Sequence, residues 1–336
     1  MSSALDQILL IPGIGRKTEI VLPSAFNDFG IDVSVFRNGT RSYSIDKTVE
    51  GFMPTTTAIY YVDGTNGDNA NDGLTPATPK LTIGGATSVG GSTARRVLIA
   101  PGQYTFAHPG KDVIYEGWGG TWALSGNISL SHGSIDAILG FRDLVVNYGI
   151  TVSNRCTAVF DAPHCEVASG ARAIQGSGTG RVITFGATAV NCERDVLSYT
   201  SDSHALEVDC NIDDNGTQDG DNCSTGHMNS KIICIGGTYR NSYRNIADIG
   251  NSKRAMFGSV VNTSKNPSGS TSSNIRSGST AANTTEIWCY GVDARGGATN
   301  ELMTENGGKL YYDNETLFDT TSGSDITLFD RQSRYS

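Results

Sequence analysis

Between Asp202 and Arg254 the chain carries two opposite blocks of charge. Residues 202–230 hold seven acids, Asp202, Glu207, Asp209, Asp213, Asp214, Asp219 and Asp221, and neither Lys nor Arg. Residues 231–254 hold five bases, Lys231, Arg240, Arg244, Lys253 and Arg254, against the single acid Asp248. Three chemistries suit such a pairing. A glycosidase works with two carboxylates about 5–5.5 Å apart for retention or about 6.5–9.5 Å apart for inversion. Glu207, Asp209, Asp213, Asp214 and Asp221 are of that type. A uronic-acid lyase needs a base for the C5 proton and a cation to neutralise the uronate. Lys231, Arg240, Arg244 or Lys253, with Ca2+ on the acidic loop, match those roles. The third chemistry is binding without reaction, with sugar rings stacked on Tyr239, Tyr243 and Phe257. The plainest alternative is a solvated corner loop whose carboxylates meet neighbouring bases in weak surface pairs.

Alternation sharpens the choice of residues. In Leu206-Glu207-Val208-Asp209 the period of two predicts Leu206 and Val208 buried, with Glu207 and Asp209 turned outward. Glu207, Asp209 and Lys231 are therefore the catalytic candidates. Asp213, Asp214, Asp221, His227, Tyr239, Arg240, Tyr243 and Arg244 are the ligand-binding candidates. His227 lies in Asn222–Asn229, followed by Ile235-Gly236-Gly237-Thr238-Tyr239 and Ile246-Ala247-Asp248. This stretch is similar to a segment of other β-helix proteins in which Asp-Gly follows the His. Met228 and Asn229 stand at those places here, so if that Asp is catalytic its loss leaves a binder. His164 and His204 have no such context. Asp63, Asp68 and Asp72 lack the spacing of an EF-hand and read as Asx turns. Trp118 and Trp122 fit either sugar stacking or packed corners. No set of residues has the paired spacing of a zinc site, and no metal ligand is assigned.

Many short strands joined by many turns must position these residues. Among 336 residues Gly is prominent at 41 and charged residues are sparse at 18%, a balance in which Gly, Asn and Asp supply positive φ. Strand-like cores recur after Tyr60, and Ile183, Leu206, Ile233, Met256, Ile287 and Leu310 stand 23, 27, 23, 31 and 23 residues apart. That length fits one winding of a three-sided parallel β-helix, whose core grows lengthwise because each repeat packs only on its neighbours. Thr82–Val89 predicts a short helix capping the solenoid's first end. Residues 1–55 differ. Thr18–Leu22, Ile31–Phe36 and Arg41–Ile45 are strand candidates, as is Ile8–Ile11, and Arg37-Asn38-Gly39-Thr40 signals a hairpin. They predict a small β-rich module, either a cap or an attachment device, ahead of a solenoid over residues 56–336.

The run Tyr60-Tyr61-Val62-Asp63-Gly64-Thr65-Asn66-Gly67-Asp68-Asn69-Ala70-Asn71-Asp72-Gly73 leads into Leu74-Thr75-Pro76-Ala77-Thr78-Pro79-Lys80-Leu81-Thr82-Ile83. It resembles the segment opening the first coil of right-handed parallel β-helices of the pectate-lyase-like superfamily, which includes polysaccharide lyases and phage tailspikes. The resemblance implies an all-β, right-handed parallel β-helix. In its tailspike form it implies a homotrimer in a virion tail, attached to other tail proteins through residues 1–55 and touching host surface polysaccharide along the solenoid flank. A polysaccharide lyase or glycoside hydrolase is the alternative, and a purely structural virion protein the third.

Charge and cysteine content agree with that picture. A net charge of −9 argues against nucleic acid as a partner. Residues 1–20 lack a basic n-region followed by an apolar h-region and a small-residue cleavage site, and no run of about 18 apolar residues predicts a membrane span. The seven cysteines are odd in number, lack a Cys-x-x-Cys pair and sit in apolar patterns such as Ile233-Cys234-Ile235. They predict buried thiols and folding in a host cytoplasm without a signal peptide.

Overall fold

The computed structural model describes residues 16–20, 22–38, 40–89, 94–106, 111–132, 136–167, 170–213, 222–242, 244–262, 273–278, 284–296 and 300–329. The expected strand at Ile8–Ile11 lies outside them. From Ala58 onward the chain winds as a parallel β-helix with three walls, of twelve, eight and nine strands. A winding passes from the twelve-stranded to the eight-stranded to the nine-stranded sheet. Three successive rungs of the first wall are Arg181–Phe185, His204–Val208 and Lys231–Ile235, paired in parallel with Leu206 opposite Ile183 and Ile233. The solenoid expectation therefore holds. Among the described residues no helix is long and apolar enough to cross a membrane.

One corner shows how the sequence makes the turn. Between the twelve- and eight-stranded walls, Asp143, Ala162, Gly186, Asp209, Gly236, Gly258 and Gly291 stack with φ of 49° to 64°. A left-handed residue at this position redirects the chain from one sheet to the next. Gly enters that region without steric cost, and Asp tolerates it better than most residues. The strand Ala58–Val62 at the first end is covered by its own loop. Tyr61 N–H donates to Gly73 O (2.8 Å), and Lys80 N–H donates to Tyr61 O (2.9 Å). The helix Ile83–Ser88 follows as expected. Thr82 Oγ1 accepts from Gly85 N–H at 2.9 Å to cap it, and Ile83 and Ala86 are fully buried. Asp63 and Asp68 accept from backbone N–H groups two residues on, at 2.8 and 2.9 Å, as Asx turns do.

The N-terminal strands Arg16–Ile20, Val33–Asn38 and Thr40–Ile45 form an antiparallel sheet, with Arg37 opposite Arg41 at the expected hairpin. This sheet lies along the outside of the twelve-stranded wall. Phe26, Ile31 and Val33 share one apolar cluster with Leu206, Val208, Ile233, Ile235 and Phe257 of that wall. The wall is shaped to receive it. A Cβ at Gly258 would lie 2.5 Å from the ring of Tyr43, and a Cβ at Gly140 would collide with Met53 Sδ.

That packing reverses one expectation. Leu206 and Val208 point out of the solenoid under the module, whereas Glu207 points into its interior. Strands buried on both faces read as continuous apolar runs, so alternation fixes the period without saying which phase is inside. The inward row containing Glu207 starts at Tyr60 and Val97 and runs on through stacked rings. Tyr115 and Phe141 centroids are 5.4 Å apart and Phe141 and Phe160 are 5.0 Å apart, close to the strand spacing. The row then continues through Thr184, Glu207, Cys234, Met256 and Cys289.

Candidate functional site

The two charge blocks do meet, in two separate places, and one further base is answered from outside them. The first is inside the solenoid. Glu207 and Arg254 come from the twelve-stranded wall, Ser224 and Asp248 from the nine-stranded wall, and Tyr239 from the eight-stranded wall, and all five are fully buried. Glu207 accepts from Tyr239 Oη at 2.6 Å and from Ser224 Oγ at 2.7 Å. Arg254 donates from Nε and Nη2 to Asp248, both at 2.9 Å, and from Nη1 to Ser224 Oγ at 2.9 Å. Its Nη1 lies 3.8 Å from Glu207. Burial opposes the charge on Arg254. The Asp248 and Glu207 carboxylates outweigh that penalty and hold its pKa well above the ordinary value. Burial pushes the Tyr239 hydroxyl up in the same way. Tyr239 is thus a core residue, not a stacking platform, and Glu207 reaches no external polymer.

At the face packed against the module the partner comes from neither block. Lys231 Nζ donates to Asp28 of the module at 2.8 Å. Asp209, by contrast, is the exposed left-handed corner residue. Glu207, Asp209 and Lys231 are therefore not brought together. One faces the interior, one stands at a corner and one holds the module.

The second meeting is on the outer flank of the eight-stranded wall, where Asp213 stands opposite Arg240 in register. Arg240 donates from Nε at 3.1 Å and its Nη2 lies 3.0 Å from the same carboxylate oxygen, while Asn241 Nδ2 donates to the other. Arg240 remains about half exposed, at 49%. Asp213, Arg240 and Asn241 are the polar group that the flank presents to solvent. Asp214, Asp221 and Tyr243 lie outside the described residues. Arg244 opens the nine-stranded wall's strand Arg244–Asp248 and is partly exposed. His227 is half-buried on the same side of the solenoid. Burial lowers its pKa against the pull of Asp195 and Asp248. Met228 and Asn229 after it form a left-handed turn with φ of 47° and 65°. Of the two tryptophans, Trp122 is core and donates to Arg142 O at 2.9 Å, and Trp118 packs edge-on to Tyr61 at 5.3 Å.

Arg254 and Asp28 carry much of this geometry and were not among the candidates. Arg254 carried a signal, as a charged residue inside an apolar strand core. Asp28 carried none, because its partners lie far along the chain.

All seven cysteines are buried thiols. Burial, with the charge of Asp112, pushes Cys156 up to about 12. Native protein at pH 8 is therefore expected to show almost no reaction with a thiol reagent, and full reaction only after denaturation. Fast labelling of the native chain would contradict the packing described here.

No family model matches the sequence, and no curated protein matches it. Among solved structures the chain is similar to a rhamnogalacturonan lyase, at 13% identity over 82% of this chain and 86% of that one, with a TM-score of 0.48. It is also similar to pectate lyase Pel9A, at 12% identity over 82% of this chain and 78% of that one, with a TM-score of 0.40.

Proposed function

We propose that this protein is a virion-borne, tailspike-like receptor-binding protein that holds a host surface polysaccharide along the outer flank of its eight-stranded wall. The observation that carries the reading is the Asp213–Arg240–Asn241 group, with Arg240 exposed, at the edge of a polar outward row. Thr188, Asn211 and Thr238 follow one another in that row from winding to winding. His164 precedes them, with Nδ1 2.9 Å from Thr188 Oγ1. Successive rungs repeat at about 4.8 Å, a step comparable with one sugar residue of an extended chain. A polymer laid along the solenoid axis would meet equivalent hydroxyl and amide groups at each step. Arg240 adds a planar charged fork suited to a carboxylate or a vicinal diol. The burial of Glu207 favours binding over hydrolysis as the role of this flank.

Attachment to a tail through residues 1–55 and a three-fold assembly belong to the same proposal. A solution mass near three times the chain mass is the expected result for the assembly.

The binding test uses immobilised host capsule or lipopolysaccharide. Arg240→Ala is expected to weaken retention about tenfold, as loss of a charge-assisted hydrogen bond does. Release of unsaturated oligosaccharides or of new reducing ends would replace this reading with a lyase or a hydrolase. Neither retention nor products would leave a structural virion protein.

A further inference from the structure

The row that opens the strands of the twelve-stranded wall is a ladder of cations. Arg181, His204, Lys231 and Lys253 stand opposite one another on consecutive rungs, before Glu286 interrupts the run. Rungs of a parallel sheet are about 4.8 Å apart, so His204 has a positive charge on either side. Lys253 is answered by Glu286 at 3.2 Å. The other three are answered by one residue of the N-terminal module. Asp28 takes Lys231 Nζ at 2.8 Å, its carboxylate lies 3.5 Å from His204 Nε2, and its backbone oxygen accepts from Arg181 Nη2 at 2.8 Å. Phe29 closes the site from the module side, its ring 5.3 Å from the imidazole at an interplanar angle of 19°.

We infer that Asp28, His204 and Lys231 form an acid-released latch, in which a proton taken up by His204 frees residues 22–53 from the flank of the solenoid. The physical reason is charge count. With a neutral imidazole, the Asp28 carboxylate stands beside two cations, Lys231 and Arg181. With an imidazolium, three adjacent cations surround that one carboxylate beneath an apolar ring, and Asp202 adds a further negative charge nearby. Like charges on neighbouring strands repel.

The direction of each group agrees. Burial, aided by Lys231 and Arg181, lowers the pKa of His204 although Asp28 and Asp202 pull it up. Burial alone would raise Asp28, but the bond from Lys231 and the nearby His204 and Lys231 charges hold it below the usual value. A depressed docked pKa means that the undocked state binds the proton more tightly. The contribution of His204 to docking is complete above its ordinary value near 6.5 and fades as pH falls below it. Asp28 acts in the same sense at more acid pH.

The test is amide hydrogen exchange of the full chain at pH 7.5 and pH 5.5, corrected for intrinsic rates. Residues 22–53 are expected to exchange on the order of tenfold faster at the lower pH, while interior strands such as Ile232–Cys234 stay protected. His204→Asn should remove the pH dependence. Lys231→Met, which leaves Asp28 to the imidazolium, should move the opening to lower pH. An unchanged rate in the native chain, the same acceleration in His204→Asn, or acceleration shared by the interior strands would overturn the latch.

Discussion

Arg254→Met is expected to destabilise the solenoid by about 3–5 kcal/mol, the cost of removing one partner from a buried ion cluster. Asp248 and Glu207 have 0% exposure and would be left without their common cation. Asp248 would lose a two-point bond from Nε and Nη2. Glu207 would keep Tyr239 and Ser224 but no counter-charge. These five residues span successive windings and all three walls, so the loss should be felt as earlier unfolding of the middle of the helix. Urea denaturation followed by circular dichroism measures it, and a second change distinguishes charge from volume. Arg254→Met with Glu207→Gln and Asp248→Asn should recover much of the stability, because apolar or neutral replacement of a whole buried cluster is often close to neutral. A single variant within about 1 kcal/mol of the parent would show that the cluster is not an electrostatic unit.

The other large effect concerns the module. Phe26→Ala should cost about 3–5 kcal/mol, the usual range for a large aromatic lost from a packed core. Phe26 is fully buried and meets Trp288 edge-on, with centroids 5.7 Å apart. The cavity would open between the module and the wall, so the loss should fall on docking before it falls on the windings. Exposure of Trp288, read as a red shift of its emission, should therefore precede loss of β-sheet signal in a denaturant titration. Coincident transitions in the variant would instead mean that module and solenoid fold as one unit.

The sequence by itself determined the way the chain winds. Apolar cores at intervals of 23 to 31 residues, separated by Gly, Asn and Asp, can stack as rungs because left-handed residues turn the corners. The Gly186, Gly236 and Gly258 corner residues were legible as turn formers in that sense. So were the Asx turns at Asp63 and Asp68, the helix at Ile83–Ser88 and the hairpin pairing of Val33–Asn38 with Thr40–Ile45, since all are local chemistry. The pairing of acidic and basic blocks was legible too, and Asp213 opposite Arg240 fulfils it.

Only the tertiary structure decided which side of each rung is inside. His204–Val208 is buried on both faces, by the solenoid interior and by the N-terminal sheet, so its sequence could not say that Glu207 turns inward and Leu206 outward. A one-residue change of phase exchanges every side chain between the two faces. The same holds for Lys231. Its partner Asp28 is 203 residues away, and only the docking of the module brings the two charges together.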